Sequence, residues 1–168
     1  MDTPGANAVG NFDWFAISAL SQGTALPARI AAADFDSGSE GLAYHDDSAG
    51  NTGGAYRPTD VDIEACAEGG YDVGWIGGGE WLRYSVDVAA PGTYTVRLRV
   101  ASPEGGGTLH LSDGTTPLTG SLAVPQTGGW QSWTTISVPI ALAAGPQAIV
   151  VTFDTAGFNL QYLDVATQ

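Results

Sequence analysis

From residue 80 onward, apolar and polar positions alternate with a period of two. Trp81, Tyr84, Val86 and Val88 are separated by polar or small residues, Pro91-Gly92 interrupts the run, and Thr93-Tyr-Thr-Val-Arg-Leu-Arg-Val100 resumes it. Two strands joined as a hairpin are the direct expectation, each with one face turned to a core. Further strands are expected over Thr108–Leu111, Gln131–Leu142, Gln147–Phe153 and Phe158–Val165, bounded by Gly, Pro or Asp-Gly, residues that end extended structure. No segment carries helical periodicity. Short strands at this spacing, with 24 glycines and 9 prolines to turn them, predict an all-β, antiparallel β-sandwich instead of a parallel α/β sheet.

The length of 168 residues suits one domain with its own core. The sandwich is expected over 29–168, and Ser18–Ala28, built of small residues with Gly, Pro and Gln, reads as a linker. Upstream, Asn11-Phe-Asp-Trp-Phe-Ala-Ile17 resembles Asn159-Leu-Gln-Tyr-Leu-Asp-Val165 in the order of its apolar and aromatic positions. Residues 1–17 are therefore expected to be the last strand of a preceding, truncated copy of the same domain, or else a strand that docks on an edge of this one.

Acidic residues outnumber basic ones 18 to 5, for a formal charge of −13. Phosphate backbones and anionic lipid are bound through clustered Lys or Arg; a nucleic acid or a membrane surface is not an expected partner. The single cysteine, Cys66, has no partner for a disulfide and reads as a small buried residue. No apolar run is long enough to cross a membrane as a helix.

The aromatic residues change the picture further. Five tryptophans and six tyrosines are many for this length, and several fall in glycine-rich loops. In Thr127-Gly-Gly-Trp130-Gln-Ser-Trp133 the first indole precedes the strand and the second lies within its alternation, which makes Trp130 the expected exposed ring. A sugar ring presents a face of C–H groups that packs on an indole or phenol, while its hydroxyls need directional partners. One stacked ring is worth roughly 1–3 kcal/mol; two rings with a few hydrogen bonds reach about micromolar to millimolar affinity once association costs are met.

Several ordered motifs carry a family resemblance. Gly70-Tyr-Asp-Val-Gly-Trp-Ile-Gly-Gly-Gly-Glu-Trp-Leu-Arg-Tyr-Ser-Val86, Pro91-Gly-Thr-Tyr-Thr-Val, Arg99-Val-Ala-Ser102, Thr127-Gly-Gly-Trp-Gln-Ser-Trp133 and Gly157-Phe-Asn-Leu160 together resemble family 6 carbohydrate-binding modules. Tyr44-His-Asp46 and Asp60-Val-Asp-Ile-Glu64 look like the longer form attached to secreted polysaccharide hydrolases. The resemblance implies a jelly-roll, galactose-binding-domain-like sandwich with a cleft at its loop end, an extracellular setting, and a monomeric, non-catalytic module within a larger multidomain enzyme. It puts the aromatic clamp on Tyr71 and Trp130 and the polar anchor on Asn159, with Glu64 and Asp72 as rim hydrogen-bonding residues; Trp75, Trp81 and Tyr84, read as strand residues, are assigned to the core. It also implies a structural calcium bound by glutamates of the first strand. Here Ala31 and Ala33 stand at those positions, leaving Asp34 and Asp164 as weak candidate ligands, so the metal is expected to be absent or its site degraded.

Two other classes compete. A glycoside hydrolase would use paired carboxylates, and Glu64 and Glu80 are the glutamates of the motif-rich region; Glu80, beside a tight glycine turn, has a structural explanation in tying down backbone amides. A protein-interaction or purely structural sandwich would use the same loop aromatics. His45 and His110 lie on separate segments without metal spacing, and the glycine runs at 77–79 and 105–107 are turns and not phosphate cradles.

Overall fold

A computed structural model of the protein describes residues 23–168; the repeat-like segment 1–17 and residues 18–22 of the expected linker lie outside the described residues. Twelve strands follow in order: β1 Thr24–Leu26, β2 Ala28–Ala31, β3 Tyr44–His45, β4 Ile63–Ala65, β5 Tyr71–Val73, β6 Trp81–Val88, β7 Gly92–Ala101, β8 Thr108–Ser112, β9 Leu122–Ala123, β10 Trp133–Leu142, β11 Gly145–Thr155 and β12 Asn159–Thr167. They form two sheets. One runs β1-β6-β11-β8-β9 with β3 also on β6, and the other runs β10-β7-β12-β5-β4 with β2 also on β12. The pairings are antiparallel except for β1, which lies parallel to β6.

The two inner faces supply the core. Leu82, Tyr84, Val86 and Val88 alternate inward along β6, and Tyr94, Val96, Leu98 and Val100 do so along β7, as a period of two requires. On β12 the register slips between Leu160 and Tyr162, a bulge at Gln161 that lets Leu160 and Leu163, three residues apart, both face inward. The fold class read from the alternation is the observed one: an antiparallel β-sandwich of jelly-roll type.

Two expectations are corrected. β6 and β7 are not a hairpin: β6 pairs with β11 in one sheet and β7 with β10 and β12 in the other, so Pro91-Gly92 carries the chain across the core. Alternation reports which face is buried, not which strand is the neighbour. The linker does not extend to residue 28 either. Thr24–Leu26 pair with Val86–Val88 and Leu26 is buried, so the domain starts before Arg29; short strands of small residues carry too little pattern to be read as strands.

Candidate functional site

The loops at one end of the second sheet enclose a cleft of about 340 Å³ lined by Glu64, Trp75, Trp130, Gln131 and Asn159. Both indoles are half open, Trp75 at 53% and Trp130 at 50% exposure. Trp75 follows β5 on a backbone of φ +48°, a left-handed conformation rare for a bulky residue and typical of functional loops. The Trp130 loop is tied down from below. Ser102 N donates to Thr127 Oγ1 at 2.8 Å, Thr127 Oγ1 donates to Ser102 O at 2.9 Å, and Ser102 Oγ donates to Gly157 O at 2.6 Å, which links this loop to the turn that precedes Asn159.

The floor is a network of two carboxylates and two amides. Glu64 on β4 and Asp72 on β5 are directly paired across the strands, a placement in which like charges repel. Two side chains bridge them. Gln131 Nε2 donates to Glu64 Oε1 at 3.0 Å and Asp72 Oδ2 at 2.9 Å, and Asn159 Nδ2 faces Glu64 Oε1 at 3.2 Å, Asp72 Oδ1 at 3.1 Å and Trp130 O at 3.2 Å. Gln131 Oε1 in turn accepts from Ala67 N at 2.8 Å. Gly74 packs so closely that a Cβ there would stand 3.3 Å from Asn159 Oδ1, so this glycine leaves room for the amide. Burial, with the repulsion of Glu64 adding to it and the amide hydrogen bonds opposing it, pushes the Asp72 carboxyl up to about 6.

Of the residues expected at a site, Glu64, Trp130 and Asn159 meet in this cleft and Tyr71 does not. Tyr71 stacks on Tyr56 with ring centroids 4.6 Å apart and lines a separate depression with Arg29, Asp34, Glu68 and Tyr162. Side chains alternate along a strand, so Tyr71 cannot share the cleft-facing side of its neighbour Asp72. Asp72 is likewise corrected from a rim residue to a fully buried one at 0% exposure, beneath the lining residues. Trp75, assigned to the core, is exposed at the cleft; Tyr84 is buried and donates its hydroxyl to Ala32 O at 2.8 Å. Trp75 and Gln131 are the lining residues that the reading of the sequence passed over. The glycine on either side of the Trp75-Ile76 pair was the available signal, since β5 ends at Val73 and leaves the indole in a loop.

Comparisons with known proteins decide the family. The model for Carbohydrate binding module (family 6) matches residues 55–167. The chain belongs to that family. Among solved structures, this family 6 module is similar to the C-terminal module of a marine laminarinase from Zobellia galactanivorans (31% identity, TM-score 0.67, covering 83% of this chain and 98% of that one). It is similar also to a module of lichenase 5A from Cellvibrio mixtus in complex with cellotriose (30% identity, TM-score 0.67, covering 84% and 98%). A curated relative, the clotting factor G alpha subunit of Tachypleus tridentatus, is 36% identical over 100 residues, which is 58% of this chain and 15% of that protein. The module thus spans a small part of that relative's length.

The first strand of this family 6 module does not fit a calcium ion. Ala31 and Ala33 offer no carboxylate, and Asp164 Oδ2 faces Arg29 at 3.5 Å and Arg97 at 3.8 Å. Asp34 Oδ1 accepts the Tyr56 hydroxyl at 2.5 Å. The carbonyls of the turn after β2 are taken by Arg57, whose guanidinium donates to Ala33 O, Phe35 O and Asp36 O at 3.1, 2.5 and 3.1 Å. A hard cation needs about six to eight oxygens, and here three carbonyls face a guanidinium charge while one oxygen of each aspartate already has a partner. Among the described residues no group of three or more His, Cys, Asp or Glu side chains is arranged to hold a metal. Glu80 accepts from Gly77 N at 2.8 Å and Asp47 N at 3.2 Å, the amide-tying role read from its glycine turn.

Proposed function

We propose that the module binds a neutral polysaccharide, or its chain end, by gripping a sugar ring between Trp75 and Trp130 and hydrogen-bonding its hydroxyls to Glu64 and Asn159, and that it thereby targets an attached secreted glycoside hydrolase. The observation that carries this reading is the pair of half-exposed indoles lining one cleft whose floor is polar. An apolar ring face needs such walls and hydroxyls need such a floor. The Cellvibrio mixtus relative was crystallised with cellotriose, and both solved relatives belong to enzymes named for glucan cleavage, which supports β-glucans as the first candidates, ahead of xylan and agarose-like galactans.

Calorimetric titration against a panel of neutral oligosaccharides tests the reading. Trp130→Ala and Trp75→Ala are each expected to lower affinity at least about tenfold, the loss of one stacked ring, with the unfolding transition retained. Undiminished binding by both variants would remove the cleft from the account. New reducing ends released from any of the polysaccharides would replace binding with catalysis.

A further inference from the structure

The hydrogen-bond polarity of the floor is one-sided. Asn159 Nδ2 has two hydrogens and three acceptors around it, and Gln131 Nε2 has two hydrogens for two carboxylates. Both donor ends therefore point into the protein. Among the described residues no donor reaches Asn159 Oδ1 or Glu64 Oε2, the remaining acceptor atoms of two lining side chains. No arginine lines the cleft.

Asp72 is the one group that holds both amides from beneath, acting with Glu64 and Ala67 N on Gln131 and with Glu64 and Trp130 O on Asn159. It lies beneath the lining residues and accepts from both amides, one on each oxygen. An ionised carboxylate only accepts, so each amide must turn its nitrogen inward; a protonated one also donates and permits the reverse. The titratable neighbours facing it are Glu64 on β4 and Cys66 in the turn after it, while Gln131 and Asn159 face it from the loop before β10 and from β12. Among the described residues no cation is one of the groups that act on it, and Arg99 is engaged by Glu68.

We propose that Asp72 is a positioning residue that sets the polarity of the cleft: ionised, it holds both amides inward and leaves an acceptor floor that selects hydroxyl donors and rejects carboxylated or sulfated sugars. This rests on the glycan-binding reading above and deepens it. Protonation of Asp72 removes one acceptor from each amide, loosening a floor that Glu64, Trp130 O and Ala67 N then hold without it, and weakens binding of a neutral ring. Its carboxyl, raised by burial to about 6, makes that change accessible under mild conditions.

Two measurements test this, one of which needs no ligand. In the ligand-free wild type, the side-chain amide resonances of Asn159 and Gln131 are expected to titrate together with a midpoint near pH 6, and this inflection is expected to vanish in Asp72→Asn, whereas an inflection arising from any other group would remain in that variant. Affinity for cellotriose is expected to fall about fivefold from pH 7.5 to pH 5, the worth of one hydrogen bond, to be flat with pH in Asp72→Asn, and to be lost when the sugar carries a C6 carboxylate. If the variant fails to fold, the wild-type resonances still decide. Binding at pH 7.5 that stays flat to pH 5, or amides without an inflection in this range, would overturn the role of Asp72 and leave glycan binding standing. Failure of every neutral oligosaccharide to bind at pH 7.5 would overturn the glycan reading and its selectivity together.

Discussion

The cleft and the corner around β2 handle polar groups in opposite ways. At the corner, the oxygens that could attract a cation mostly meet an arginine, with Arg57 on three carbonyls, Arg29 and Arg97 on Asp164 and Arg83 on Asp36, while Asp34 meets the Tyr56 hydroxyl. At the cleft, two opposed carboxylates are bridged by amides alone, and no arginine contributes to the lining. The five basic residues of the chain are all spent on structure, four of them at or near the corner and Arg99 on Glu68. The corner is satisfied and inert, whereas the cleft keeps acceptors and a strained acid in reserve. Residues that make a site useful are ones the fold has left incompletely neutralised.

Breaking the corner is expected to have the largest effect. Arg57→Met keeps the stem over Phe35, which now lies 3.8 Å from the guanidinium, but removes the donors to three carbonyls. Leaving such groups unsatisfied costs about 2–4 kcal/mol in total, measurable as a lower urea midpoint, with the affinity for oligosaccharide unchanged because Arg57 does not line the cleft. The arrangement also predicts that adding calcium or EDTA leaves the wild-type melting temperature unchanged within about 1 °C, since a bound cation stabilises only as far as it binds the fold. A drop on chelation would show that a cation, and not Arg57, holds this corner.

The second effect separates stability from binding. Asp72 is raised to about 6, and Asp46 and Glu80 are also raised, each chiefly by burial. A carboxyl whose folded pKa lies above its unfolded value stabilises the fold fully below the unfolded value and loses that contribution as pH rises through the folded one. Glu68 and Asp113, shifted down, act in the other direction only in more acidic solution. Lowering pH from 7.5 to 5 is thus expected to raise the urea midpoint while cellotriose affinity falls. Parallel changes in both would mean that the cleft simply follows global stability.

What the sequence discloses differs between the same two regions. The long strands β6, β7, β10, β11 and β12 were legible because period-two alternation over eight or more residues is dictated by one buried face. Trp130 was legible because its glycine-rich loop precedes the strand, and Asn159 because the Gly157-Phe-Asn-Leu160 motif resembles the family's. Strand partners were not, as the β6–β7 crossing shows, and neither was the corner: Arg57 and the Ala33–Asp36 carbonyls it serves lie more than 20 residues apart and share no local pattern. Asp72 was found as a polar candidate, yet only the register Glu64↔Asp72 places it under the floor and not on the rim.

Tyr71 gives the smallest expected effect and the sharpest test of that register. The motif Gly70-Tyr-Asp-Val-Gly-Trp contains two aromatic residues four apart, one of which faces the cleft. Strand alternation puts Tyr71 on the side opposite Asp72, and its ring packs on Tyr56, itself held by the Tyr56 hydroxyl on Asp34. Tyr71→Ala should therefore lower stability by about 1 kcal/mol through loss of the aromatic pair while changing oligosaccharide affinity less than about twofold, since no contact of the ligand is removed. Calorimetry on Tyr71→Ala beside Trp75→Ala reads this directly. A tenfold loss in the tyrosine variant with none in the tryptophan variant would mean that the ring is held on the Tyr56–Tyr71 side of β5, and that the acceptor floor beneath Trp75 serves some other partner.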